Sequence, residues 1–347
     1  MNNHETYMKR CLLLAAKGLG GVAPNPMVGC VIVCNGKIIG EGYHQQYGQA
    51  HAEVNAIESV KKKELLQKST LYVNLEPCSH FGKTPPCADL IIEHKIPYVV
   101  IGSIDVNSLV SGKGIHKLSK AGIDVAVGVL EAECKQLNKR FFTFHEKKRP
   151  YIILKWAQST DGFIDAKRSA YTSGKALQIS NNDSKKLLHQ WRSEEQAIMV
   201  GTNTALLDNP QLTVREVKGN NPLRITIDKT LRIPKEYHLF DTTTPTLVFT
   251  GAEAISSTNL EYIQIDFEQA ILPLILNELK NRTINSLLVE GGEQLLNSFI
   301  DSNLWDEARV FISDKKIEEG VNAPVLKKNP TGKETIGDTI LLTYINQ

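Results

Sequence analysis

Cysteine is scarce in this sequence: six residues in a chain of 347, at positions 11, 30, 34, 78, 87 and 134. That is too sparse for a disulfide scaffold and points to reduced thiols in a cytoplasmic setting. Charge of one sign is missing too. Forty Lys and Arg against 38 Asp and Glu leave a net +2, neither the basic field of a nucleic-acid binder nor an acidic solvating tail. No hydrophobic run approaches the ~18–20 residues of a membrane span. The opening MNNHETYMKR is polar and carries no apolar stretch of signal-peptide length. Internal repeats and low-complexity segments are also lacking. What remains, 41% hydrophobic and 22% charged, is the composition of a soluble globular protein long enough for two domains.

The first half alternates helical and strand patterns. Residues 7–19 read as a helix with Met8, Cys11, Leu12 and Ala15 on one face. VGCVIVCNGKIIGEG follows, two apolar strands around Asn35-Gly36, the dipeptide favoured in a type I′ hairpin turn. A helix from His51, a strand at 70–75, a helix from about Cys87 to His94 and a strand at 98–102 come next. A helix near 113–121, a strand at 123–128 and a helix to about Arg140 complete the pattern of a three-layer α/β sheet with a hairpin at one edge. The lysine triplet 61–63 reads as a solvated helix end. FHEKKRP, 144–150, is a charged stretch ending in proline, and it sets expected domains at 1–148 and 149–347. YIILKWA, LLHQWR, AIMVG, LRITID, TLVFT, SLLVEGG and ARVFI then form a second strand-rich α/β pattern.

Chemistry enters at HAEVNAIESV, 51–60, where His51 and Glu53 stand two apart at the front of a helical run. Mid-helix neighbours on one face are three or four apart, so both can reach one centre only if His51 lies at the helix edge. About 25 residues on, EPCSHFGKTPPCADLI supplies Cys78 at the end of a buried strand and Cys87 after Pro85-Pro86. Proline is tolerated in a helix's first turn, and a cysteine there sits near the positive end of the dipole, which favours its thiolate. Two thiolates and an imidazole are good zinc ligands and leave a fourth position for water. Glu53 is then the general acid and base that moves protons during a hydrolytic deamination. H-x-E with P-C-x-x-C is the signature of zinc nucleobase deaminases; here the two cysteines are nine positions apart. A closed structural zinc site would need a fourth ligand, for which His80 is the near candidate. Cys11, Cys30, Cys34 and Cys134 lie in apolar patterns and are expected in the core.

PNPMVGCVIV, HAEVNAI and PCSHFGKTPPC, in that order and at these separations, resemble the bifunctional riboflavin-biosynthesis deaminase–reductases, and the resemblance runs over nearly the whole chain. It implies a cytidine-deaminase-like α/β/α domain followed by a dihydrofolate-reductase-like α/β domain. It implies one Zn2+ held by His51, Cys78 and Cys87, with Glu53 catalytic. The implied substrate is a diaminopyrimidinone carrying ribose phosphate, contacted by Asn25, His44, His80, Lys83, Thr84, Asp105 and Asn107. Val106 and Ser108 stand where the family usually has proline. The partner is then a small molecule rather than nucleic acid or membrane, and self-association is expected.

LKWAQSTDGFI, VGTNTALLDNPQLTVR and SLLVEGGEQLLNSF resemble the reductase half of the same family. The last reads strand, glycine pair, helix, a form that lets backbone approach a dinucleotide's pyrophosphate closely. By the resemblance, NADPH is contacted by Ala157, Thr204, Asp208, Gly291, Gly292, Glu293, Gln294, Leu295 and Leu296. Lys155, Arg192, Leu212, Arg215 and Glu290 belong to the substrate, with the arginines on its phosphate and Lys155 or Glu290 as proton donor. Ala176 and Gln178 stand where the family usually has serine and tryptophan. The alternative keeps only the deaminase active and makes the second half a binding or assembly module. An editing deaminase acting on a flipped base uses the same zinc chemistry, but the near-neutral charge argues against it.

Overall fold

The stretch GCVIVC at 29–34 is buried along its whole length, as befits a strand covered on both faces. It belongs to the first of two compact units, Met1–Lys148 and Arg149–Gln347. The structure, a computed structural model, describes residues 3–79, 85–107, 111–168 and 177–346.

The first unit runs α1 (Asn3–Ala15), β1 (Gly29–Cys34), β2 (Lys37–Tyr43), α2 (Ala52–Ser59), β3 (Ser69–Leu75) and α3 (Cys87–Glu93). It continues through β4 (Tyr98–Ser103), α4 (Lys113–Lys120), β5 (Asp124–Val127), α5 (Glu131–Leu137) and α6 (Lys139–Lys147). The strands form one sheet in the order β2-β1-β3-β4-β5, antiparallel as far as β3 and parallel beyond. Alternation along β1 separates its two faces. Cys30 and Ile32 pack with Ala56, Ile91 and Leu118 of α2, α3 and α4, while Val31 and Val33 pack with Met8, Cys11 and Cys134 of α1 and α5. The result is a three-layer α/β/α stack. Asn35 and Gly36 both have positive φ, 49° and 71°, as a type I′ turn requires.

Two boundaries differ from the sequence reading. The first helix starts at Asn3 and ends at Ala15, followed by one 3-10 turn to Gly18. The last helical stretch does not stop near Arg140: it breaks at Asn138 and resumes as α6 to Lys147, taking in part of the charged stretch read as linker. Phe141 and Phe142 are buried against Leu75, and that packing holds the extra turns. Asn138 is fixed at the break by accepting from the Met27 amide and donating to its carbonyl.

The second unit runs β6 (Tyr151–Gln158), β7 (Phe163–Ala166), α7 (Asn182–Glu194), β8 (Ala197–Val200), α8 (Thr202–Asp208), β9 (Leu223–Ile227) and β10 (Thr246–Thr250). Then come β11 (Leu260–Gln264), α9 (Ile271–Asn281), β12 (Ser286–Val289), α10 (Glu293–Asp301), β13 (Glu307–Ser313), β14 (Gly320–Asn322), β15 (Gly332–Ile336) and β16 (Thr339–Ile345). Its main sheet has the order β11-β10-β9-β8-β12-β6-β13-β16-β15. It is parallel from β11 to β13 and closed by the antiparallel β15–β16 hairpin. Helices α9 and α10 cover one face through Leu276, Leu296 and Phe299; Trp191 of α7 and Ala205 of α8 cover the other.

In the first unit, α2 is set by glycine. A Cβ on Gly42 of β2 would stand 2.4 Å from the Ala56 nitrogen and 2.6 Å from the Ala52 oxygen, so helix backbone rests directly on the hairpin. Gly42→Ala is therefore expected to destabilise the unit by about 1–3 kcal/mol, read as a lowered denaturation midpoint with the second unit's transition unmoved.

Candidate active sites

His51 is the N-cap of α2, with extended backbone (φ −74°, ψ 167°), so its ring leaves the helix while Glu53 sits in the first turn. Cys78 lies just beyond β3, and Cys87 opens α3. The three are brought together: one donor atom from each lies within 4.8 Å of the others. His51 Nδ1 is 3.6 Å from Cys78 Sγ and 3.4 Å from Cys87 Sγ. A tetrahedral zinc with Zn–S ~2.3 Å and Zn–N ~2.0 Å needs a separation of roughly 3.5 Å. The donor set fits the metal in kind and in spacing.

Glu53 is 3% exposed. Burial, with the nearby Cys78 charge, pushes its carboxyl up to about 7, partly offset by His51 and by a hydrogen bond with Cys87. It is therefore poised to take and give a proton near neutrality. Of the thiols, Cys78 ionises first: its hydrogen bond with Cys87 draws it down to about 4 against the cost of burial, with His51 adding to the effect. The same hydrogen bond, with burial, drives Cys87 up.

Asn25 and His44 stand beside this trio. His44 Nδ1 bonds the Ala50 carbonyl at 3.0 Å and Nε2 meets Asn25 Nδ2 at 3.1 Å, which makes Nδ1 the donor and Nε2 the acceptor. Burial lowers the His44 pKa and keeps the ring neutral; its ring is 5.3 Å from that of His51. Asp105 is buried and pushed up to about 6 by desolvation, and its Oδ1 accepts the Asn107 amide at 2.7 Å. His80, Lys83, Thr84 and Ser108 lie outside the described residues.

A residue not singled out from the sequence holds this loop. Glu76, directly after β3 and 4% exposed, accepts four backbone amides. Oε2 takes Asp105 at 3.2 Å and Gly112 at 2.9 Å; Oε1 takes Gly114 at 2.9 Å and Ile115 at 3.3 Å. Its place in the EPC triplet is visible in sequence, but its partners lie 29 or more residues away and are not.

In the second unit a cavity of about 750 Å³ opens at the carboxyl ends of β6, β12, β8 and β9, where ligands of parallel sheets bind. Lys155, Ala157, Thr204, Asp208 and Glu290 line it, followed by Gly291, Gly292, Glu293, Gln294, Leu295 and Leu296. Gly292 has φ +61°, and a Cβ there would meet Thr204 Oγ1 at 3.0 Å. Only glycine leaves the turn into α10 open. Asp208 is held by Arg168 at 2.6 Å, and Arg168 also pairs with Asp165. Gln178 lines the same cavity; Ala176 lies outside the described residues.

Arg192, Leu212 and Arg215 are not among the residues lining the cavity. Arg192 forms a bidentate pair with Glu290, Nε to Oε1 and Nη2 to Oε2, both 2.8 Å. Its Nη1 donates to the Thr213 carbonyl. Leu212, with φ +55°, packs in the core beside Phe311 and Trp191. Arg215 is exposed, its amide donating to His189 Nδ1 at 3.0 Å and its Nη1 to Thr213 Oγ1. Burial, reinforced by the two arginines, lowers His189 to about 4, so its ring stays a neutral acceptor. Burial alone would raise Glu290, but Arg192 outweighs it and holds the carboxylate below its ordinary range. Burial lowers Lys155 too, with Glu290 opposing.

Removing Glu76 leaves four amide donors unmatched. Glu76→Leu is expected to speed hydrogen–deuterium exchange at Asp105, Gly112, Gly114 and Ile115 by about tenfold or more, with amides of β1 unchanged.

Residues 1–103 match the family model described as the cytidine and deoxycytidylate deaminase zinc-binding region, and residues 150–317 match the RibD C-terminal domain. The riboflavin biosynthesis protein RibD of Aquifex aeolicus is 43% identical over 92% of this chain and 89% of its own length; that of Escherichia coli is 36% identical over 90% and 88%. A crystal structure from Thermotoga maritima, described as a diaminohydroxyphosphoribosylaminopyrimidine deaminase/5-amino-6-(5-phosphoribosylamino)uracil reductase, is 39% identical. It superposes with a TM-score of 0.90 over 99% of both chains. Both halves of the chain thus have their counterparts, in order, in single relatives, and the chain belongs to the RibD family of bifunctional deaminase–reductases of riboflavin biosynthesis.

Proposed function

We propose that residues 1–148 deaminate 2,5-diamino-6-(5-phosphoribosylamino)pyrimidin-4(3H)-one. Residues 149–347 then reduce the ribosyl group of the product to ribityl with NADPH. The observation that carries the reading is the convergence of one imidazole and two thiols with Glu53 buried beside them. His51, Cys78 and Cys87 hold the zinc. Zinc, when bound, supplies a Lewis acid that brings the ionisation of water from ~15.7 towards ~7. Glu53 takes the proton released from water at a carboxylate oxygen, delivers it to the pyrimidine ring nitrogen, and passes a second to the departing ammonia. Asn25 and His44 face the base, and Asp105 and Asn107 its substituents; the family resemblance adds His80, Lys83 and Thr84, which lie outside the described residues.

In the second site the cavity at the strand ends is where the dinucleotide lies. NADPH, when bound, supplies a hydride for the sugar's C1 as the ring opens. Gly291 to Leu296 bring backbone to its pyrophosphate, and Ala157, Thr204 and Asp208 lie along it. Of the two candidate proton donors we take Lys155. Glu290 is locked as a carboxylate by Arg192, whereas burial loosens the proton on the Lys155 ammonium. The guanidinium presented to a substrate phosphate is that of Arg215, because all three nitrogens of Arg192 are engaged within the fold. Leu212 shapes the loop that carries Arg215.

We extend the reading to a cytoplasmic, self-associating enzyme of small-molecule metabolism. The cytoplasmic part is supported by six free thiols and a net charge of +2, and no helix among the described residues is long and apolar enough to cross a membrane; self-association rests on the family resemblance alone.

Glu53→Ala is expected to keep one zinc per chain by metal analysis while deamination falls ~10²–10⁴-fold; Cys87→Ser is expected to lose the metal. Near-normal deamination by Glu53→Ala, or by rigorously demetallated protein, refutes the assignment. Both variants should reduce pre-deaminated substrate, followed as loss of nicotinamide absorbance, at close to the wild-type rate. For the second site, Lys155→Met is expected to lower that reduction ~10²–10⁴-fold while NADPH still binds. A Lys155→Met enzyme with an unchanged rate would return the proton to another donor.

A further inference from the structure

We propose that Phe311 is a positioning residue for the reduction: its ring, stacked on Trp191, holds the Lys155 ammonium where it lines the cavity of the second unit. This role rests on the reading of Lys155 as proton donor, and it names the group that aims the donor.

Two strands bring like charges side by side. β6 and β13 are parallel neighbours, and their register sets Lys155 opposite Arg309 and Ala157 opposite Phe311. Alternation puts these four on one face, the face covered by Trp191 of α7. Cations at directly opposed positions on strands ~4.8 Å apart repel. The aromatic rings divide them. Arg309 lies over Trp191, its Cζ 4.6 Å from the ring centroid, and Lys155 Nζ lies over Phe311 at 5.7 Å. The two rings stack on each other at 5.3 Å, with 18° between their planes. Lys155, Phe311, Trp191 and Arg309 thus form one series of contacts with a cation at each end.

The register also gives that series a direction. Phe311 stands two residues beyond Arg309, roughly 7 Å nearer the carboxyl ends of the strands, where the cavity opens. An ammonium drawn onto its ring leans towards the cavity, and Lys155 is among the lining residues. Arg309 is drawn the other way, its Nε donating at 2.6 Å to Glu307, two residues back along β13. Phe311 itself is 1% exposed and is not among the residues lining the cavity, so it reaches the reaction only through Lys155.

The charged groups around the ammonium leave the ring work to do. Glu290 after β12 attracts it, but that carboxylate is already paired with Arg192 of α7, which repels it, and burial opposes the charge as well. His189 of α7 stays neutral. Arg309 of β13 is paired with Glu307, and Asp208 of α8 with Arg168. An aromatic face attracts a cation most where both are shielded from water. The Phe311 ring therefore favours the protonated, donating form of Lys155 and fixes its direction without adding a polar group to the core.

The test replaces Phe311 by phenylalanines carrying one, three and five fluorines, which keep the ring's shape while withdrawing electron density from its face, alongside Phe311→Leu. Two quantities are read on the full chain. One is the pH profile of reduction of pre-deaminated substrate; the other is the pH titration of the Lys155 ε-carbon resonance in isotope-labelled protein, assigned by its loss in Lys155→Met. The ammonium is the form that donates, so the rate falls as pH rises through its ionisation. A ring that no longer attracts the cation moves both the alkaline limb and the resonance to lower pH. The displacement is expected to grow with each added fluorine and to reach roughly one pH unit with five fluorines or with Phe311→Leu, while NADPH affinity is unchanged. A resonance that does not move with fluorination overturns the role of Phe311 and leaves Lys155 standing as donor. A resonance that moves while the rate profile stays in place overturns Lys155 as donor, and the role of Phe311 in reduction with it.

Discussion

The first unit depends on bringing two thiols, an imidazole and a carboxylate within a few ångströms of one another in a place from which water is largely excluded. Left to themselves such groups resist burial: desolvation raises Glu53 and Cys87 and opposes the ionisation of Cys78. The scaffold supplies that proximity by rigid means. Helix α2 is seated on glycines of β2, Cys87 begins α3, and Cys78 directly follows the strand-end segment anchored by Glu76. A metal that binds both thiolates and the neutral imidazole turns the electrostatic cost of the cluster into ligation energy. The same crowding leaves Glu53 with a proton affinity near neutrality.

In the second unit the organising fact is a buried ion pair rather than a donor set. Glu290 and Arg192 are each nearly inaccessible and bonded through two parallel contacts, and breaking such a pair costs ~3–5 kcal/mol. Arg192 therefore behaves as part of the wall. Burial lowers Lys155, His189 and Arg215, and the Arg192 charge adds to the effect; the same charge holds Glu290 below its ordinary range. One guanidinium thus biases the protonation of its neighbours in the same direction as burial for the bases and against burial for Glu290.

Much of this was legible in the sequence, for reasons that can be named. Asn35-Gly36 can form one tight turn easily, so the β1–β2 hairpin was visible. Uniformly apolar YVVIG and AIMVG could be little other than covered strands. The x in H-x-E required His51 to leave the helix, and it does so as the N-cap. Less legible were features fixed by contacts distant in sequence. The break at Asn138 depends on Met27, 111 residues away. The commitment of Arg192 depends on Glu290, 98 residues away. From sequence alone an arginine in LLHQWR and one in LTVR look equally fit to hold a phosphate. Only the fold reveals that the first is paired with a buried carboxylate.

The same limit applies to carboxylates, and here both units use one device. Glu76 follows β3 and Asp228 follows β9, each at the carboxyl end of a parallel strand, where functional acids are commonly sought. Both are almost wholly buried, and both accept backbone amides of the chain that comes after, 105 to 115 for Glu76 and 232 to 233 for Asp228. An acidic side chain receiving several amide hydrogen bonds is a strong polar contact for a fold, and it spends no side chain of the loop it shapes. The side chains of the loop stay available for other partners: Asp105, for one, accepts the Asn107 amide. An acid that binds backbone and an acid that binds substrate have the same one-letter code and the same position relative to the strand. What separates them is whether their oxygens are already satisfied, and that is decided by the path of the chain after the strand ends.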